Sequence, residues 1–197
     1  MVKKLKNVDL IEENQAYLKI LNWFFSFPNM EVSLNDLSQQ LRISKTTANK
    51  IVSELERKGF LKKEVLGRIW RISCNQNHPY NFTRKIAYNL SWVYESVIIN
   101  LTKEIVLKDR GITPRAIILF GSYRKGDDTE KSDIDIAVEV LDNKDTQVIQ
   151  LGVLPQFGYR TKVPINLHIF SRNKIDLNLF ANIANGIVLE GFLEVRP

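Results

Sequence analysis

The 197-residue sequence has a single cysteine, Cys74, and only two histidines, His78 and His168. One thiol excludes an intramolecular disulfide, and so few soft ligands exclude a structural zinc cluster. No apolar run approaches the roughly 20 residues needed to span a bilayer, and the opening MVKKLKNVDL has no apolar signal core, so a cytoplasmic protein with no membrane partner is expected. Internal repeats and low-complexity segments are also lacking. Cys74 itself reads as a small buried residue at the end of a strand. What remains is an ordinary globular composition, 44% hydrophobic and 25% charged, in a chain long enough for one large domain or two small ones.

The net charge of +6 is unevenly placed. Residues 1–75 carry +5, residues 76–110 carry +2 and residues 111–197 carry −1. The basic excess marks the N-terminal part as the region suited to a polyanion.

Taken in order, apolar residues from Ile11 to Phe27 recur at mostly helical intervals and Pro28 ends the run, which predicts a first helix. Ser33 opens S-L-N-D, a capping-box-like start for a short second helix ending near Arg42. Ser44 caps a third, where Ala48, Ile51, Val52 and Leu55 form one stripe and Gly59 stops the helix. The opposite face shows Ser44, Lys45, Thr46, Asn49, Lys50 and Ser53, residue types that bond phosphates and base edges. The runs FLKKEV and RIWRIS, separated by Leu66-Gly67, predict a hairpin. Beyond a turn-rich joint, Ile86, Leu90, Val93, Val97, Leu101 and Ile105 predict one long helix from Phe82 to Lys108. That spacing suits either a dimer seam or packing against the chain's own domains.

Further on, Ile117–Val140 reads IILFGSYRKGDDTEKSDIDIAVEV: two apolar runs suited to buried strands, joined by a polar loop. Strand alternation points Asp133 and Asp135 the same way, and two adjacent carboxylates repel unless a hard cation such as Mg²⁺ joins them to phosphate oxygens. Gly121 permits a tight turn, after which backbone N–H groups and the Ser122 hydroxyl face a phosphate. Asp145–Leu154 is expected as a helix, Pro155–Thr161 as a loop, Val163–Phe170 as a strand and Asn173–Ile183 as a final helix.

The helix-helix-helix-hairpin order over roughly Gln15–Cys74 resembles a winged helix-turn-helix domain of small prokaryotic regulators. That resemblance implies double-stranded DNA as partner, with the Ser44–Lys58 helix in the major groove and a wing bearing Lys62, Lys63, Arg68 and Arg71. From about Ile112 onward, Gly121-Ser122, Gly126 and Ser132-Asp133-Ile134-Asp135-Ile136-Ala137-Val138 look like the signature of the polymerase-beta-type nucleotidyltransferase superfamily, in its minimal branch. The implied fold is α+β: a winged helix over 1–75, a connecting or dimerisation helix over 76–110, and a small mixed β-sheet with helices over 111–197.

The second resemblance implies Asp133 and Asp135 as ligands of Mg²⁺ or Mn²⁺. It implies a nucleoside triphosphate held at Gly121, Ser122 and Ser132, with Arg124 and Lys125 as further phosphate cations. Such enzymes use a third carboxylate on a neighbouring strand, where this chain has Asn166, a neutral amide that cannot act as a general base. His168, two residues on, faces the same way and is a candidate for that role. Glu139 continues the same face but lies about 13 Å beyond Asp135, too far to substitute. Two readings follow. One is a DNA-tethered transferase that moves a nucleoside monophosphate to a hydroxyl of a small molecule or a toxin-like partner protein. The other is a nucleotide-sensing transcription regulator, acting as a homodimer, whose chemistry is weakened by Asn166.

Overall fold

A computed structural model of the protein describes residues 15–67 and 69–194. The aromatic-rich first helix, α1 (Gln15–Ser26), buries Tyr17, Ile20, Leu21, Trp23, Phe24 and Phe25. The part of the predicted helix before Gln15 lies outside the described residues. Helix α2 (Leu34–Gln40) starts at Ser33, whose hydroxyl oxygen accepts the Asp36 N–H at 3.1 Å and donates to the Asp36 carboxylate at 2.7 Å. The acid thus binds the capping hydroxyl itself. Helix α3 (Lys45–Arg57) is capped by Ser44, which accepts from Thr47 N–H at 3.0 Å, a contact of about 1 kcal/mol.

Strands β1 (Leu61–Leu66) and β2 (Ile69–Cys74) form an antiparallel hairpin, and Val32 bridges to Ile72 to tie the segment before α2 onto it. These elements enclose one core built on Ile20, Phe24, Leu37, Val52, Leu55 and Ile72. Cys74 closes β2 and is buried, and burial pushes its thiol up to about 11.

The expected single helix from Phe82 to Lys108 is two: α4 (Pro79–Glu95) and α5 (Ile98–Arg110). Ser96 adopts an extended conformation between them, donating back to the Val93 carbonyl at 2.8 Å and accepting the Ile98 N–H at 3.3 Å. It ends one helix and starts the next, a local alternative that serine offers the backbone. The apolar period runs through the break, which is why it reads as continuous. Val93, Ile98 and Val106 enter the chain's own C-terminal core, while Val97 is 61% exposed.

That core lies under a five-stranded sheet of β3 (Ala116–Phe120), β4 (Ile134–Glu139), β5 (Gln147–Phe157), β6 (Arg160–Phe170) and β7 (Ile187–Gly191), ordered β5-β6-β4-β3-β7. Of its four neighbouring pairs, β4 with β6 is parallel and the other three are antiparallel. Two expectations fail here. The helix expected over Asp145–Leu154 is most of β5, and the expected loop Pro155–Thr161 is the end of β5 with a tight turn into β6. β-Branched Val148, Ile149 and Val153 favour a strand, but what settles the conformation is the ladder offered by β6, whose partner residues lie from three positions on at the turn to twenty-two at the far end. The final helix splits into a short 3₁₀ turn (Arg172–Lys174) and α7 (Leu177–Ala184), capped by Asp176; β7 is an additional edge strand.

The two sheet faces differ. Ile134, Ile136 and Val138 pack toward α4 and α5. On the other face α7 packs on Ala116, Ile118, Phe120, Ala137 and Phe170 through Ile183, and the Asp135 side chain, opposite Phe120, stays 28% exposed. No helix among the described residues is long and apolar enough to cross a membrane.

Candidate functional site

Buried β3 delivers Phe120 to the sheet end, where the chain turns at Gly121 into the short helix α6 (Gly121–Lys125). Gly121 has φ +72°, and a β-carbon there would lie 2.6 Å from Asp135 Oδ2. The backbone conformation favours glycine, and a β-carbon would in addition displace the Asp135 carboxylate. The loop returns through Ser132 and Asp133 into β4, whose Asp135 lies opposite Phe120 on one side and Asn166 on the other.

Asp133 and Asp135 converge on one point. Asn166 Nδ2 stands there, donating to Asp133 Oδ2 at 2.8 Å and lying 3.4 Å from Asp135 Oδ1. His168, next along the same face of β6, has Nε2 3.7 Å from Asp135 Oδ1, and its ring meets Phe120 edge-on at 5.0 Å. Among the described residues neither carboxylate has a lysine or arginine partner within 4 Å, and no group of three or more His, Cys, Asp or Glu is assembled as a metal cluster. The donor set is therefore two carboxylates and a neutral amide. Turning the amide would present its oxygen where its nitrogen now points.

Of the other residues singled out in the loop, Ser122 and Arg124 are half-buried and Lys125 is exposed on α6. The Ser132 hydroxyl is turned into the loop, accepting the Thr129 N–H at 3.0 Å, so Ser132 shapes the approach to Asp133. Two further features have no sequence signal that pairs them. Gln150 of β5 lies in register with Asn166, extending the polar row across the sheet. Beneath the loop, Lys85 and Asn89 of α4 and Arg160 of β6 meet Asp128, Tyr123 and the Ser132 carbonyl.

In the N-terminal unit, Ser44, Lys45, Thr46, Asn49 and Lys50 are exposed together along α3, and Ser53 is half-buried beside Asn49. Lys62 is exposed on β1. Arg71 is drawn into ion pairs with Glu31 at 3.3 Å and Glu64 at 3.5 Å, and Lys63 lies over the Trp70 ring and 3.7 Å from Glu56. Arg68 lies outside the described residues.

No curated protein and no solved structure matches the chain. Residues 101–190, which hold the Gly-Ser turn, both aspartates and Asn166, match the family model described as Polymerase beta, Nucleotidyltransferase, and the C-terminal unit is thus similar to the nucleotidyltransferases of that family.

Proposed function

We propose that the protein binds a metal-complexed nucleoside triphosphate at the open end of β3, β4 and β6, and transfers its nucleoside monophosphate to a hydroxyl of a small molecule or partner protein. The N-terminal three-helix and hairpin unit acts as a winged helix that tethers it to double-stranded DNA. The observation that carries the first part is the convergence of Asp133 and Asp135 on one donor position beside the Gly121 turn. Two carboxylates sharing a donor fit a divalent cation, Mg²⁺ or Mn²⁺, which when bound polarises phosphoryl oxygens and stabilises the departing pyrophosphate. The chain's own groups do the remaining work. The turn at Gly121 and Ser122 offers N–H and hydroxyl donors to phosphate, and Arg124 and Lys125 add positive charge. In this reading His168, whose Nε2 is 3.7 Å from Asp135 Oδ1, is the candidate to take the acceptor proton.

A second reading rests on Asn166. Its N–H groups hold the two carboxylates where a third acid would bring charge, which favours nucleotide binding as a signal to the DNA-binding unit over turnover. Incubation with Mg²⁺ and each α-labelled triphosphate, beside an Asn166→Asp variant, separates the two. Release of pyrophosphate by the natural chain supports the transferase. Release by the variant alone supports the sensor. Silence from both, together with no nucleotide binding by calorimetry, overturns the site.

A further inference from the structure

The loop from Gly126 to Ser132 decides where both halves of the proposed nucleotide site lie, because it joins the Gly121 turn to Asp133. It is held from beneath. Asp128 at its centre is 3% exposed. Its Oδ1 accepts from Asn89 Nδ2 at 2.8 Å, its Oδ2 lies 3.3 Å from Lys85 Nζ, and its carbonyl also accepts from Lys85. The same Asn89 amide donates to the Tyr123 carbonyl at 3.0 Å, so one side chain of α4 joins the helix after the Gly121 turn to the middle of the loop. From β6, Arg160 donates to the Tyr123 hydroxyl and, at 2.7 Å, to the Ser132 carbonyl one residue before Asp133. Gly126 seals the contact: a β-carbon there would meet the Phe82 carbonyl at 3.0 Å and Ile86 at 3.1 Å.

Lys85, Asn89, Tyr123, Asp128 and Arg160 are all buried, yet a buried charge pair of this kind is a poor source of stability against an apolar alternative. Burial pushes Lys85 down and Asp128 up, each opposed by the charge of the other. Helix α4 is seated in turn on the N-terminal unit: the Tyr88 hydroxyl is 2.7 Å from Ser26 Oγ at the end of α1, its ring packs on Phe25, and Ser26 Oγ also accepts the Tyr159 N–H.

We infer that Lys85 and Asn89 are positioning residues, which set the nucleotide-binding loop from α4 and so make nucleotide affinity depend on how α4 rests against the N-terminal unit. This rests on the nucleotide reading above. The test compares the full chain with Lys85→Met, Asp128→Asn and the double variant. Three measurements are made on each: thermal unfolding, calorimetric affinity for the α,β-methylene analogues of ATP, GTP, CTP and UTP with Mg²⁺, and amide hydrogen exchange over residues 121–133. Each single change leaves a buried charge without its partner and lowers the midpoint of unfolding. The double variant removes both charges and regains most of that loss. Its nucleotide affinity nevertheless stays at least about tenfold weaker, and exchange rises in 121–133 while residues 61–66 stay unchanged. A double variant with natural affinity and natural loop exchange overturns the inference. If the natural chain binds none of the four analogues, the nucleotide reading falls, and the exchange measurement alone still decides whether α4 sets the loop.

Discussion

Asp135 and Glu139 sit four residues apart on the same face of one strand, and the molecule treats them oppositely. Glu139 is fully buried, with Arg172 Nη2 2.8 Å from one oxygen and Arg115 Nε 4.0 Å from the other. Asp135 is half-buried at the sheet end, beside a second carboxylate, and among the described residues its polar partners are an amide and an imidazole. Asp128 and Asp142 follow Glu139 in having internal cations, Lys85 and Arg110. The three buried or nearly buried carboxylates have a cation of the chain within 4 Å, whereas among the described residues Asp133 and Asp135 have no lysine or arginine that close, and the proposed function sets the charge of a bound cation there. Two adjacent carboxylates without a cation of the chain are the arrangement a ligand's positive charge would complete, which is what the proposed function requires.

The sharpest way to break this contrast is to remove the carboxylates one end at a time. Asp133→Ala with Asp135→Ala is expected to abolish Mg-dependent nucleotide binding by calorimetry, a loss of at least about a hundredfold, while changing the stability of the fold by no more than about 0.5 kcal/mol. Unchanged binding would move the site elsewhere. At the other end, Arg172→Ala leaves Glu139 buried with a distant partner, and chemical denaturation should show a loss of about 3 kcal/mol, with nucleotide affinity preserved. Equal stability costs at the two ends would mean that the distinction between structural and ligand-facing carboxylates is wrong.

Acid should act on the paired set. Burial raises the Asp142 carboxyl, but the Ser171 hydroxyl at 2.5 Å, the Lys144 N–H at 3.0 Å and the Arg110 guanidinium at 2.6 Å outweigh it and hold the group at about 2. A depressed folded-state value means stability that is present above the ordinary carboxylate value of about 4 and lost as the pH falls through about 2. Unfolding followed between pH 5 and pH 2 should show that decline, and Asp142→Asn should flatten it. The same logic of paired and unpaired charge applies to the N-terminal unit, with the smallest effects. Lys50 makes no ion pair within 4 Å among the described residues, so Lys50→Ala should weaken DNA binding and lower the salt slope by about 0.9. Arg71, engaged with Glu31 and Glu64, should matter less. A larger effect from Arg71 would show that its ion pairs open to reach phosphate.

Several elements were legible because their causes are local. Ser33 and Ser44 sit at the starts of α2 and α3 as their spacing indicates, since a cap needs only its own first turn. The strands β3, β4 and β6 follow from apolar runs and alternation, and these carry Gly121, Asp133, Asp135 and Asn166 to one sheet end. Helix α4 and α5 read as one because a serine that ends a helix leaves the apolar period intact. The stretch Gln147–Phe157 reads partly as helix because its partner strand is not visible in its own residues.

The sequence by itself therefore determined the chemistry on offer: two carboxylates two residues apart, a glycine before them, an asparagine where a third acid would stand, and basic charge gathered toward the N-terminus. Tertiary structure alone decided which of these groups face each other. Asp135 and Asn166 are thirty-one residues apart and become neighbours only through the parallel pairing of β4 with β6. Lys85 and Asp128 meet only because α4 packs beneath the loop. Local propensity acts over a turn or a strand, whereas a site is made by long-range pairing whose burial and hydrogen bonds no single segment encodes.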